Sequence, residues 1–153
     1  MASANHYGTD FSLTKNPIVN QKYHFNTLTD GRDCRTEVAE AHRQKAISYW
    51  NKADSTKGKG RGLMRIINNI IADFLYSVAL KELGHGLHAI QDIEAHTPDY
   101  TQKFPIPGIE IYHHFDFPEA DVAFTHKGEP DPRMLEAGVQ SINYLGGFWE
   151  GVN

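Results

Sequence analysis

The feature that most constrains this fold is a long apolar, helix-favouring run from Leu63 to about His96. Apolar and helix-favouring residues fill the run, and Thr97-Pro98 ends it because the residue before proline disfavours helical backbone. It predicts one long helix, or two helices with a break near Gly84-His85-Gly86, because each glycine inside a helix costs about 1 kcal/mol relative to alanine. The two glycines that flank His85 also predict that another part of the chain packs very close there.

Two further helices are predicted on either side of this run. The first extends from Arg35 to about Ser55, and its inward positions recur at spacings of three and four residues: Val38, Ala41 or His42, Ala46, Tyr49 and Ala53. The last begins at Pro132 with Asp131 as its cap and continues to about Trp149. Between the first two helices, the glycine-rich basic segment 57–62 is interpreted as a linker, since it lacks the P-loop spacing.

The remaining segments show no helical period. Residues 1–33 contain several turn signals and are expected to be extended or irregular. Residues 98–130 contain five prolines and predict a long loop, and such loops in compact domains are usually functional. We therefore expect a single mainly α domain over residues 1–153: a small helical bundle with long irregular loops around a metal centre.

Composition narrows the classes of protein further. Hydrophobic residues make up 40% and charged residues 22%, as in ordinary globular proteins, and the net charge of −4 argues against coating duplex nucleic acid by charge alone. The single cysteine, Cys34, excludes an internal disulfide and a thiolate zinc cluster. We expect no transmembrane segment, and the first residues do not resemble a signal peptide.

Nine histidines are present, and two of them form a stripe with an aspartate on the long predicted helix. Relative to His88, Asp92 lies near 40° and His96 near 80° around the helix axis, at about 100° per residue. The apolar residues occupy a separate arc: Tyr76, Leu80, Leu83, Leu87 and Ile90. Imidazole and carboxylate ligands without cysteine suit zinc, or less specifically manganese or iron.

The rise of the helix decides how such a stripe could bind metal. His88 and His96 are separated by about 12 Å along the axis, too far for one ion with bonds of about 2 Å. The simplest arrangement places Asp92 between two ions, with His88 on one and His96 on the other. Two ions about 4 Å apart are the arrangement that phosphatases and nucleases use, which predicts hydrolysis of a phosphate ester.

Further ligands must come from outside the long helix. The candidates are His24, in Tyr23-His24-Phe25, and the loop residues His113, His114 and Asp116. Adjacent side chains in extended chain point to opposite sides, so only one of His113 and His114 is expected to face the metals. Which of the two it is stays open.

Other polar residues are weaker candidates. An unligated carboxylate, Glu94 or Asp99, could orient the attacking water. Asp10, Asp30 and Glu119 are further carboxylate candidates, His85 is left open, and three histidines are interpreted as non-ligands: His6, His42 and His126.

The run Leu83-Gly-His-Gly-Leu-His-Ala-Ile-Gln-Asp-Ile-Glu-Ala-His96 resembles the zinc-dependent phospholipase C family, whose fold is shared with single-strand-specific nucleases. The resemblance implies that His88, Asp92 and His96 are metal ligands, with Asp92 bridging two metals. It also implies an upstream ligand at His24 and a downstream one at His113 or His114, with an acid near Asp116.

The same run is similar to C-terminal toxin domains of Rhs-type polymorphic toxins. That similarity implies an effector domain at the C-terminal end of a larger protein. It further implies that the domain is secreted or delivered into a target cell, and that a cognate immunity protein is its partner.

We therefore expect a metal-dependent phosphodiester hydrolase of the phospholipase C type, with zinc as cofactor, two ions favoured and other divalent metals left open. The substrate class stays open between phospholipid and nucleic acid. The alternatives are a nuclease on the same scaffold and a non-catalytic helical module stapled by metal. The HD phosphohydrolases need an adjacent His-Asp pair, which this sequence lacks.

Overall fold

The chain forms a small, mainly α bundle, as predicted. The structure, a computed structural model, describes residues 33–95, 102–103, 112–113, 129 and 131–152. Within this part of the chain lie three helices, α1 (Arg35–Thr56), α2 (Leu63–Ala95) and α3 (Pro132–Gly151). Two short strands, β1 (Gln102–Lys103) and β2 (Tyr112–His113), pair antiparallel.

The helix boundaries follow the predicted ones closely. Helix α2 is a single helix of 33 residues through Gly84-His85-Gly86, so the alternative with two helices is wrong. At the start of α3, the Asp131 side chain accepts a hydrogen bond from the backbone N–H of Arg133, and Pro132 occupies the first turn. The strand pair adds a feature that the predicted loop 98–130 did not include. The irregular chain predicted for residues 1–32 lies outside the described residues.

A tight loop joins α1 to α2 into a hairpin. Gly58, Gly60 and Gly62 all have positive φ, a conformation that side chains other than glycine rarely adopt. Asn69 Oδ1 accepts a hydrogen bond from Gly58 N at 2.8 Å, and the Asn68 side chain donates to the Lys59 carbonyl at 3.1 Å. These bonds hold the loop backbone against the first turns of α2, consistent with its interpretation as a linker.

The core lies where all three helices meet. Its buried residues come from each helix: Ala39 and Ala46 of α1, Leu83, Leu87 and Ala89 of α2, and Tyr144 and Phe148 of α3. Helix α3 runs in the same direction as α1, since Ser141 contacts Gln91 near the end of α2 and Gly151 contacts Asn51 further along α1. Trp50 of α1 packs edge-on against Phe148 and Trp149.

Gly86 is the closest point of approach in the core. A Cβ at this position would lie 2.0 Å from Tyr144 Oη and 2.9 Å from the Ala39 carbonyl oxygen. The Tyr144 hydroxyl itself donates to that carbonyl at 3.2 Å. The close packing predicted from the glycines around His85 is therefore confirmed at Gly86, where α1 and α3 both meet the backbone of α2.

Helix α2 is also long and apolar enough to cross a membrane, judged by length and composition alone over Leu63–Glu94. Core helices of soluble proteins meet the same criterion. The expected absence of a transmembrane segment therefore stays a prediction.

Replacing Gly86 by alanine tests the close approach. We expect Gly86→Ala to lower the free energy of unfolding by about 1–3 kcal/mol, because the new methyl group overlaps the Tyr144 hydroxyl and the Ala39 carbonyl. Urea unfolding followed by circular dichroism measures the change.

Gly138 in α3 is the matched control, since a Cβ there would meet nothing within 4 Å. Gly138→Ala is expected to stabilise the protein by up to about 1 kcal/mol through helix propensity alone. Equal effects of the two substitutions would contradict the packing at Gly86.

Candidate functional site

His88 and Asp92 form a buried pair one turn apart near the C-terminal end of α2. The two residues are only 7% and 5% exposed. His88 Nε2 lies 3.6 Å from Asp92 Oδ2. Residues four apart on a helix face the same way, so the helical backbone from His88 to Asp92 brings the imidazole and the carboxylate together.

The separation of these two atoms can be compared with the geometry of a metal site. Two ligands on one tetrahedral zinc, with bonds of about 2.1 Å, stand about 3.4 Å apart. The observed 3.6 Å is close to that value and longer than the usual 2.7–3.2 Å of a hydrogen bond. The pair therefore has the donor chemistry and the spacing to share one ion.

Arg35 anchors the backbone beneath this pair. Its side chain is buried, and Nη1 donates to the Asp92 carbonyl, which joins the start of α1 to the end of α2. Nε and Nη2 donate to the Asp33 carboxylate at 3.0 and 2.7 Å. Burial raises the pKa of Asp33, but its hydrogen bonds with Arg35 outweigh that effect and hold the pKa below its usual value.

The pair lies at the end of the bundle where the helices connect to the rest of the chain. Helix α1 begins at this end, α2 ends here, and α3 begins here, as the hydrogen bond of 3.3 Å between Gln91 and Ser141 indicates. Residues 1–32 therefore join the bundle at this end, as do both ends of the segment 96–130. The remaining predicted ligands all belong to those two segments.

The structure describes four of the predicted site residues. It brings His88 and Asp92 together, as predicted, and it places His113 in β2 with its backbone opposite Gln102. The others lie outside the described residues: His24, His96, Asp99, His114 and Asp116.

Glu94, the fourth, is half-buried on α2. At about 100° per residue it lies roughly 200° around the axis from Asp92, so its side chain leaves the opposite side of the helix. The position of Glu94 therefore does not favour its predicted role in orienting water.

A second polar cluster lies one turn before His88, on the same helix. His42 of α1 is buried, with Nδ1 2.6 Å from Glu82 Oε2, and its ring lies 5.6 Å from that of His85. This contact agrees with the interpretation of His42 as a core histidine. Burial lowers the pKa of His85, and the neighbouring His42 and Lys81 lower it further against the opposing effect of Glu82.

No sequence pattern indicates the role of Arg35, and only a weak one indicates the burial of His42. His42 shares the inward spacing of Ala39 and Ala46 on α1, a signal that could have placed it in the core. Arg35 contacts a backbone carbonyl 57 residues away, and no sequence pattern encodes such a bond. Among the described residues, no group of three or more His, Cys, Asp or Glu side chains could hold a metal ion. The described part of the site therefore supplies two donors.

Arg35 provides a test of how the site end of α2 is held. We expect Arg35→Gln to lower the free energy of unfolding by about 2 kcal/mol, since it removes a buried charged donor from the Asp92 carbonyl and from Asp33. Hydrogen exchange should accelerate at the end of α2 around Asp92 and stay unchanged near Ala72. Uniform acceleration along α2 would contradict this local role.

His85 gives a pH dependence of defined sign. Because the folded protein lowers the pKa of His85 from 6.5, the unfolded chain binds the proton more readily, so stability is lost as the pH falls below about 6.5. We expect His85→Gln to reduce this loss, measured by urea unfolding on both sides of pH 6.5. An unchanged pH dependence would show that His85 makes no such contribution.

Comparisons of the chain with protein-family models, with curated proteins and with solved structures find no match. The resemblance to the zinc-dependent phospholipases C and to Rhs-type toxin domains therefore stays a prediction.

Proposed function

We propose that the chain is a metal-dependent phosphodiester hydrolase of the phospholipase C type, with zinc as its cofactor. The observation that carries this proposal is the buried His88–Asp92 pair, whose nitrogen and oxygen stand 3.6 Å apart. Buried imidazole and carboxylate groups at that spacing are what zinc binding requires. Bound zinc supplies hydroxide at neutral pH and stabilises charge on phosphoryl oxygens.

The rest of the ligand set comes from the chain segments that join the bundle beside the pair. His96 follows directly after the last residue of α2, and His24 belongs to the segment that leads into α1. One of His113 and His114, together with Asp116, completes the proposed set. With Asp92 shared, this set holds two ions.

One feature of the described residues suits such a centre. The hydrogen bond from Arg35 to the Asp92 carbonyl fixes the backbone that carries the carboxylate, and fixed ligands bind metal more tightly. Catalysis also needs a carboxylate that is not a metal ligand and that orients the attacking water. Because the Glu94 side chain leaves α2 on the side opposite Asp92, we assign this role to Asp99.

Phospholipid is the proposed substrate class, in the setting of a toxin domain whose partner is a cognate immunity protein. The large apolar side chains that α2 exposes beside the hairpin loop, among them Ile70 and Phe74, favour lipid over nucleic acid. A non-catalytic module stapled by metal is the second candidate. The depth of burial of His88 and Asp92 favours it, because structural zinc sites are closed while catalytic ones keep an open position.

Metal analysis of the purified protein, with and without His88→Ala, tests the centre. We expect the substitution to remove about one ion per chain and to abolish hydrolysis of phosphatidylcholine in vesicles that also contain phosphatidylglycerol. Asp92→Asn is expected to lower turnover by at least about 100-fold, since even the loss of an outer partner of a metal ligand costs 10–100-fold. A parallel assay with single-stranded DNA and RNA decides the substrate class.

His85→Gln is the matched control, since His85 lies on the same helix, one turn before His88, and is half-buried. It should retain both metal and activity. Full metal content in His88→Ala, or no metal in the wild-type protein at neutral pH, would contradict the proposal. Bound metal with no turnover on either substrate would favour the structural staple.

A further inference from the structure

The tip of the α1–α2 hairpin turns an apolar face to solvent. Seven large apolar side chains of α2 are exposed there, and Phe74 is 67% exposed. At about 100° per residue they cover an arc of roughly 160°. We call this set the apolar arc: Leu63, Met64, Ile66, Ile67, Ile70, Ile71 and Phe74.

The apolar arc points away from the packing partner of α2. The contact with α1 at this end is a small buried cluster of Ala53, Ala72 and Leu75. Ala72 lies about 160° around the axis from Phe74. Helices on protein surfaces normally turn their large apolar side chains inward, so this part of α2 has the reverse arrangement. Exposed apolar patches of this kind mark interaction surfaces.

Positive charge is concentrated at the same tip. From Ser55 to Ala72 the sequence contains four cations, Lys57, Lys59, Arg61 and Arg65, and the exposed carboxylates Asp54 and Asp73 flank this segment, so four cations against two carboxylates leave the tip with net positive charge in a chain of net charge −4. All four side chains are exposed. The N-terminal end of α2, which carries the positive end of the helix dipole, adds to the same field.

Three of these cations, Lys57, Lys59 and Arg61, lie in the loop directly before the first residue of the apolar arc, whereas Arg65 lies about 180° around α2 from the centre of the arc. Asn68 and Asn69, which bond the loop backbone, lie roughly 120° and 140° from the centre of the arc, on the side of α2 that faces α1. The loop is therefore fastened on that side, and the arc stays clear of it. The loop cations and the first apolar side chains of the arc thus adjoin at the tip.

We propose that this surface docks onto an anionic phospholipid bilayer. Apolar side chains flanked by Lys and Arg are the combination that interfacial helices use, gaining both from apolar burial and from attraction to anionic lipids. A second copy of the chain would bring two surfaces of the same positive charge together, which is unfavourable.

The tip lies on the bilayer and does not cross it. Helix α1 runs beside α2 and exposes Lys45, Lys52 and Asp54, which a spanning hairpin would carry into hydrocarbon at high cost. Ile70 is about 33 Å along the axis from Asp92, so the docking surface is separate from the candidate metal centre. The proposal does not rest on hydrolysis.

Sedimentation of the full chain with vesicles tests the docking, in the presence of a chelator so that turnover plays no part. We expect binding to vesicles of phosphatidylcholine mixed with phosphatidylglycerol, weakening with salt, and little binding to phosphatidylcholine alone. Lys59→Gln with Arg61→Gln should lower the partition coefficient about 25-fold, at about fivefold for each cation. Lys45→Gln with Lys52→Gln on α1 is the matched control and should leave binding unchanged.

An environment-sensitive dye locates the contact. On Ile70→Cys the emission should shift to the blue with anionic vesicles, while on Ile142→Cys, an equally apolar and exposed position of α3, it should not. Absence of sedimentation, or equal losses in the two cation pairs, would overturn the proposal. The proposal would also be overturned if the dye at position 70 already emitted in the blue without vesicles and its emission stayed unchanged when vesicles were added. Another part of the chain or a second copy would then cover the arc.

Discussion

The described bundle depends on the missing side chain at Gly86. Without a Cβ there, the Tyr144 hydroxyl reaches across α2 to the Ala39 carbonyl, and all three helices meet at one level. Leu83, three residues before Gly86, and Leu87, the residue after it, then fill the interior together with Phe148. Because His88 and Asp92 follow on the same unbroken helix, their position relative to α1 and α3 is set by this contact as well.

Much of this arrangement could be predicted from local signals. Proline and glycine positions gave the ends of all three helices, and the cap at Asp131 gave the start of α3. The spacing of four residues gave the His88–Asp92 pair, because helical geometry alone brings such residues together. The glycines on either side of His85 predicted the close approach of other helices to α2. The free-energy cost of glycine inside a helix also left open a break in α2, which the core packing prevents.

Other features could not be predicted, because they depend on contacts between residues far apart in the sequence or on which side of a helix is covered by its neighbours. The hydrogen bond from Arg35 to the Asp92 carbonyl is one example, since every carbonyl looks alike in a sequence. The exposed apolar arc is another. The run Leu63–Phe74 predicts part of a long apolar helix but not which of its sides is covered, and α3 ends beside Asn51 and does not reach the hairpin tip. Among the three described helices, only α1 covers α2 there, and one helix buries only one side of its neighbour.

The uninterrupted course of α2 also has a geometric consequence. Along a continuous helix, each residue turns the direction of its side chain by about 100° relative to the residue before it. Counted in this way, Asp92 lies about five full turns after Phe74 and returns to the same direction. The carboxylate and the centre of the apolar arc thus leave α2 on the same side. One side of a single helix therefore changes character along its length, from an exposed apolar surface at Phe74 to a buried polar pair at Asp92.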